Sequence, residues 1–205
     1  MKHNLNFKEI SARLKEVSDF LNPNFSLEQY CTPISVLEHF FNLFPTESNK
    51  TVIDLGIGTG KLATLADLLG STNIIGIDID PNALNLSRTL EIKNLSLIRS
   101  SVEFLPLKNF QFKINGVIMN PPFGTKRKYM DLVFLKKALE TKGWIISLHK
   151  YNEESYQKIQ SLLDENHYYI SNKQKLTLNL PKTYKIHTKF KYSVEVILIL
   201  SFPNI

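Results

Sequence analysis

Apolar positions along the chain follow two rhythms, and the rhythm changes near residue 50. Ile10, Leu14, Val17 and Leu21 recur at the spacing of one helix face and predict an amphipathic helix over residues 8–21. Asn22-Pro23-Asn24 breaks it. Thr32-Pro33 then predicts a second helix, with Thr32 as N-cap and Pro33 at its first position. Ile34, Leu37, Phe41 and Phe44 form its apolar face.

From residue 51 short apolar runs alternate with helical segments. TVIDLG precedes a helix over 61–69, and NIIGIDI precedes one over 81–92. LSLIRS and INGVIMN follow, then a helix over 131–140, GWIISLH, and a helix over 153–165. Strand and helix alternating at this pace predict a parallel sheet with crossover helices. The runs are nearly continuously apolar, as expected of strands covered on both faces. Two longer runs, around 168–180 and 192–202, have no helix between them and predict an antiparallel hairpin at the sheet edge.

The chain has 205 residues, enough for one domain with a full core, and 43% hydrophobic with 11% aromatic residues excludes a disordered class. A net charge of +6 biases it towards an anionic partner. The single cysteine, Cys31, excludes an internal disulfide and a cysteine-based zinc cluster, so no metal site is expected. No run reaches the roughly 20 apolar residues of a membrane span. MKHNLNFKEI lacks the apolar core of a secretion signal. The expected protein is soluble and cytoplasmic, with no membrane partner.

The segment Asp54-Leu55-Gly56-Ile57-Gly58-Thr59-Gly60 closes a strand and opens a helix. Glycines let a backbone turn sharply and approach a ligand closely. The dinucleotide fingerprint needs a glycine where Lys61 stands, which disfavours a nicotinamide dehydrogenase, and no Walker loop occurs. The G-x-G-x-G form behind an acid resembles motif I of S-adenosylmethionine-dependent methyltransferases. Asp78, at the tip of the next strand, can accept ribose hydroxyls, with Ile79 beside it; Asp80, before Pro81, suits an N-cap.

Met119-Asn120-Pro121-Pro122-Phe123-Gly124-Thr125 ends a later strand on the same sheet edge, so both loops should face one pocket. An exocyclic base amine is a poor nucleophile, because its lone pair is delocalised into the ring. Two acceptors, the Asn120 side-chain oxygen and the Pro121 carbonyl, could hold its hydrogens and favour the attacking geometry. Pro121 and Pro122 would stiffen the loop, Phe123 would stack on the base, and Gly124 would leave room for it. Such a base must be unpaired or flipped out.

These stretches, with Leu27-Glu28-Gln29-Tyr30, Ser147-Leu148-His149-Lys150 and Leu180-Pro181-x-x-Tyr184-Lys185-x-His187, together resemble the methyltransferase-like protein five family over about residues 8–202. Its members form N6-methyladenine in small-subunit ribosomal RNA. The resemblance implies an α/β, Rossmann-like class I methyltransferase: a seven-stranded, mostly parallel sheet with a C-terminal antiparallel hairpin. It implies one domain over 1–205, with residues 1–45 as a helical segment and 46–205 as the core. It also implies that Gln29, Thr32, Asp54, Gly56, Gly58, Thr59, Gly60, Asp78 and Ile79 hold S-adenosyl-L-methionine. Ser101 stands where the family carries an acid, and Thr59 where its loop carries a cysteine. Eukaryotic members need a small zinc-binding activator, so a heterodimer is implied, with any zinc in the partner.

Lys126, Arg127 and Lys128 follow the catalytic loop, and residues 173–191 hold six lysines and no acid. Lysines track phosphates and aromatic rings stack on unpaired bases, so Lys182, Tyr184, Lys185, His187 and Lys189 join the expected RNA surface. His149 and His187 are expected to pack or face phosphate rather than act as bases, since the methylated amine loses its proton to water. The rival readings are methylation of a guanine amine or a protein glutamine amide, and a non-catalytic RNA-binding assembly factor with the same fold.

Overall fold

A computed structural model describes residues 5–46, 50–124, 126–181 and 191–204. Helix α1 (Phe7–Glu16) and helix α2 (Ile34–Leu43) precede the sheet. The sheet comprises β1 (Lys50–Leu55), β2 (Ser71–Asp78), β3 (Leu95–Arg99), β4 (Gly116–Met119), β5 (Trp144–Lys150), β6 (Tyr168–Pro181) and β7 (Lys191–Pro203). Helices α3 (Lys61–Leu68), α4 (Pro81–Arg88), α5 (Met130–Leu139) and α6 (Glu153–Glu165) lie between the strands.

The spatial order is β3-β2-β1-β4-β5-β7-β6. The first five strands are parallel, and β7 runs antiparallel between β5 and β6. The expected hairpin is therefore present, with its second arm laid against the sheet first. Chain order reverses between β1 and β4, so the carboxyl ends of these neighbours flank the crevice where open α/β sheets bind ligands.

Alternating residues of each strand feed two cores. Val52, Ile118, Ile146 and Leu198 pack with α2 and α3, whereas Ile53, Val117, Ile145 and Ile197 pack with α5 and α6. Each core removes a continuous apolar surface from water, at roughly 25 cal/mol per Å². Strand β3 departs from the doubly covered pattern: it lies on the edge, and none of its residues is fully buried.

Three boundaries differ from expectation. Helix α1 starts on an Asn6–Glu9 capping box but ends at Glu16, and Leu21 is 84% exposed. Beyond the turn Asp19 pairs with Lys61 at 2.6 Å, and the Phe20 ring lies 3.2 Å from where a Cβ on Gly58 would be. Thr32 does not cap α2. Pro33 holds the cap position and its carbonyl accepts from Val36 and Leu37, leaving the Thr32 hydroxyl for another partner. Helix α4 begins on the expected cap, Asp80 accepting from Asn82 N at 2.9 Å, but stops at Arg88 rather than residue 92. Among the described residues no helix is long and apolar enough to cross a membrane.

Candidate functional site

Gly56, Gly58 and Gly60 all adopt left-handed backbone angles, with φ of 83°, 56° and 88°. Side chains resist that region, so the alternate glycines are what let β1 fold back into α3. Gly56 N and Ile57 N both donate to the Ile77 carbonyl, at 2.8 and 2.9 Å, which pins the loop to the end of β2. Gly60 caps α3, and a Cβ there would lie 2.2 Å from Leu90 Cδ1. Its role is packing, because the cavity wall holds Gly56, Gly58 and Thr59 but not Gly60. The Thr59 hydroxyl lies 3.7 Å from Cys31 Sγ. Burial pushes the Cys31 thiol up to about 11.

Asp54 lies under this loop rather than in the cavity wall. It is fully buried, and neither carboxylate oxygen meets hydrogen-bond geometry with a partner. Burial pushes its carboxyl up to about 8, opposed by the Ala63 N–H at the start of α3 and reinforced by the charge of Asp78.

Asp78 does line the cavity. Its Oδ2 accepts from Gly58 N and its Oδ1 from Asp80 N, each at 2.9 Å. A carboxylate has about four acceptor positions, so capacity remains for two hydroxyls. Burial raises its pKa, and the Asp80 and Gly58 amides work against that rise. Ile79 and Ser101 complete this side of the wall. Gln29 lies in the wall opposite, but its amide is committed to protein: Nε2 donates to Asp80 Oδ2 and Oε1 accepts from Asn24 N, both at 2.7 Å. Gln29 thus ties the segment before α2 to the end of β2, closing a cavity of about 240 Å³.

Asn120 sits on the cavity wall between two hydroxyls. Tyr30 Oη donates to its Oδ1 at 2.7 Å, and its Nδ2 donates to Thr32 Oγ1 at 3.0 Å. Each hydroxyl can donate or accept, so the two together hold the plane of the amide across the wall. Pro122 reaches the wall, whereas Pro121 is buried behind it. Phe123 is not the open platform expected: its ring is 9% exposed and packs on Tyr30 at a centroid distance of 5.4 Å. An apolar ring beside a core cluster gains more from burial than from water. Gly124 also serves differently. Its φ is 76°, and a Cβ would meet Tyr129 N at 3.0 Å, so it lets the chain turn tightly towards α5.

The basic run after this loop is exposed. Arg127 forks onto Glu103 with bonds of 2.9 and 2.7 Å, and Lys126 Nζ lies 3.4 Å from the Phe25 ring centroid. The backbone of Lys126 donates to Glu28 Oε1 at 2.9 Å. Lys182, Tyr184, Lys185, His187 and Lys189 lie outside the described residues. His149 is packed, as expected: its buried ring bridges Asp131 Oδ2 at 3.1 Å and Ser147 Oγ at 2.9 Å.

Tyr30, Phe20, Lys61 and Phe134 also line the cavity and escaped the residue-by-residue reading. Tyr30 had a signal, its place in Leu27-Glu28-Gln29-Tyr30. The others touch the site only through the fold.

A methyltransferase-domain family matches residues 46–197. The chain is 32% identical to the rRNA N(6)-adenosine-methyltransferase METTL5 of Danio rerio over 210 residues, covering 98% of this chain and 100% of that one. The Drosophila melanogaster protein of the same name is 32% identical, covering 94% of each. A crystal structure from Pyrococcus horikoshii, provisionally named an RNA methyltransferase, superposes with a TM-score of 0.85 at 28% identity, over 98% of this chain and 99% of that one. These similarities run the whole length of the sheet and through both loops of the crevice, and they place the chain in the METTL5 family of methyltransferases.

Proposed function

We propose that the protein transfers the methyl group of S-adenosyl-L-methionine to N6 of an unpaired adenine in small-subunit ribosomal RNA. It would act in the cytoplasm as a single catalytic domain over residues 1–205. The observation that carries this reading is the Asn120 amide, clamped by Tyr30 and Thr32 on the wall of the cavity that Asp78 and the glycine loop also line.

The residues present fit the cofactor. Gly56 and Gly58 bring bare loop backbone to the cavity wall, where a Cβ would press on the Phe134 and Phe20 rings that line the same cavity. Asp78 keeps acceptor capacity for ribose hydroxyls, with Ile79 and Val102 offering apolar walls for a flat purine and Ser101 a polar contact. S-adenosylmethionine supplies an electrophilic methyl on a sulfonium. Everything else is positioning and hydrogen bonding.

Asn120 Oδ1 takes one hydrogen bond from Tyr30 and keeps a second lone pair for a hydrogen of the adenine amine. The Pro121 carbonyl is the second acceptor. Holding both hydrogens turns the nitrogen lone pair out of the ring's π system and towards the methyl group. The extra proton on the product amine leaves to water, which is why no titrating base is needed and why the His149 ring can stay buried in the core. The Tyr30 ring lines the cavity and would edge the place of the base, with the Phe123 ring packed behind it. Lys126 and Lys128 would meet the phosphates, as would Arg127 on exchanging Glu103 for one, and Lys182, Tyr184, Lys185, His187 and Lys189, outside the described residues, are assigned to the same role by their chemistry alone.

The test is transfer of tritiated methyl to small-subunit ribosomal RNA with nucleoside analysis of the product, run with and without a small zinc-binding activator of the kind the family uses. N6-methyladenosine supports the reading. Methylguanosine, or label in a protein glutamine, overturns the choice of amine. Silence in both arms favours a non-catalytic RNA-binding factor.

A further inference from the structure

Beyond β3 the chain makes a short 3₁₀ turn, Val102–Phe104, that forms one lip of the cavity. Ser101, Val102 and Glu103 all line the cavity. Phe104 is the next residue, and its ring is 83% exposed, more than that of any other large aromatic residue among those described. A ring of that size left in water forgoes the gain of burial.

The exposure is not that of a loose loop. Val102 and Leu105, on either side, are buried in the core. Phe104 N donates to the Ser101 carbonyl at 3.2 Å and Leu105 N to the Val102 carbonyl at 3.5 Å. Glu103 is gripped by both terminal nitrogens of Arg127, which links the lip to the segment after the Asn120 loop. A flat apolar ring is therefore held in the open at the mouth of the site by fixed backbone on both sides.

We propose that Phe104 is a stacking platform for the nucleotide adjoining the target adenine. The proposal rests on the reading that the substrate is a single RNA strand. When one base of such a strand enters the cavity, the next must lie across a lip, and every base offers a π face to a ring. Its exposed neighbours along the chain are Glu103, Pro106, Lys108 and Asn109, with no further large apolar side chain exposed until Phe112, which pairs with Phe110. Exposed Lys126 and Lys128 flank Arg127 across the ion pair and supply the positive charge a phosphate backbone seeks.

The test is fluorescence anisotropy of a labelled single-stranded oligocytidine carrying one adenosine, with the full chain and its Phe104→Ala and Phe104→Trp variants. The same strand is also made with an abasic residue beside the adenosine, on one side or the other. Phe104→Ala is expected to weaken binding between about fivefold and 150-fold, and Phe104→Trp to retain it. One of the two abasic strands should bind the parent protein less tightly by a similar factor yet cost the alanine variant little. Unchanged binding by Phe104→Ala overturns the proposal, as does an equal abasic penalty in both proteins. If Phe104→Ala instead spares RNA and weakens binding of a zinc-binding activator, the ring belongs to a protein interface and the proposal falls. Binding is read without turnover, so an inactive enzyme that still shows the Phe104 effect would sink the proposed reaction and not the platform.

Discussion

The Tyr30 hydroxyl donates to the Asn120 side-chain oxygen at 2.7 Å, joining residues 90 positions apart in the chain. The segment before α2 thus orients the amide at the end of β4, while the Tyr30 ring packs on Phe123 of the same loop. Removing the hydroxyl alone, in Tyr30→Phe, keeps that ring contact. A net hydrogen bond is worth about 0.5–1.5 kcal/mol, so single-turnover methyl transfer should slow roughly twofold to twelvefold. Cofactor affinity, read by calorimetry, should not change. Equal losses in both would mean that Tyr30 shapes the cofactor pocket rather than the Asn120 amide.

Asn120→Ala removes the acceptor itself. Turnover should fall by about 100-fold or more, the usual effect of deleting a preorganised polar group that acts on developing charge. Cofactor affinity should stay within a few-fold of the parent, because the glycine loop and Asp78 are untouched. A collapse of cofactor binding would show that the division of labour along the crevice is wrong.

Asp54 makes stability depend on pH in a stated direction. Its carboxyl is pushed up to about 8 in the folded protein by burial, against about 3.9 when unfolded. Between those values the native state holds a proton that the unfolded state has released. Unfolding free energy therefore falls as pH rises from about 4 towards 8, with Asp78, also raised by burial, adding to the same slope. Asp54→Asn keeps the shape and cannot ionise. Urea midpoints at pH 5 and pH 8 should lie closer together in this variant than in the parent. An unchanged gap would mean that Asp54 stays ionised, held by the Ala63 amide.

The parallel core was legible because each of its elements carries its own signal. Apolar runs between helical segments mark the strands, three alternating glycines mark the first turn, and Asp80 before Pro81 marks a cap. What escaped was decided by contacts between distant segments. Thr32 before Pro33 has every local mark of an N-cap, yet its hydroxyl is taken by Asn120 from 88 positions away. Leu21 fits the helix period, yet the helix ends at Glu16 and Asp19 reaches Lys61, 42 positions away, a contact no local pattern encodes. Phe123 has the right chemistry for an open stacking ring, and its burial follows from Tyr30 arriving beside it. Asp54 shows the same limit: the position before the loop was evident, but its place beneath the wall depends on where α3 packs.

The buried chain Ser147–His149–Asp131 offers the most demanding test, because it links stability to the site without touching it. His149 and Ser147 project from one face of β5 towards Asp131, in the first turn of α5. That helix carries Met130 and Phe134 into the cavity wall, and the Phe134 ring would lie 3.1 Å from a Cβ on Gly56. His149→Phe fills the space and strands two buried polar groups. Each costs about 1–3 kcal/mol when left without a partner, and a chain this size loses roughly 2–4 °C of Tm per kcal/mol. Calorimetry should therefore show a clear drop in Tm. If the chain also sets α5 against the glycine loop, the KM for S-adenosylmethionine should rise while kcat at saturating cofactor falls less. Pairing His149→Phe with Ser147→Ala removes one stranded group, so the double variant should be more stable than the two single losses predict when added. Simple additivity with an unchanged KM would reduce the chain to three independent core residues.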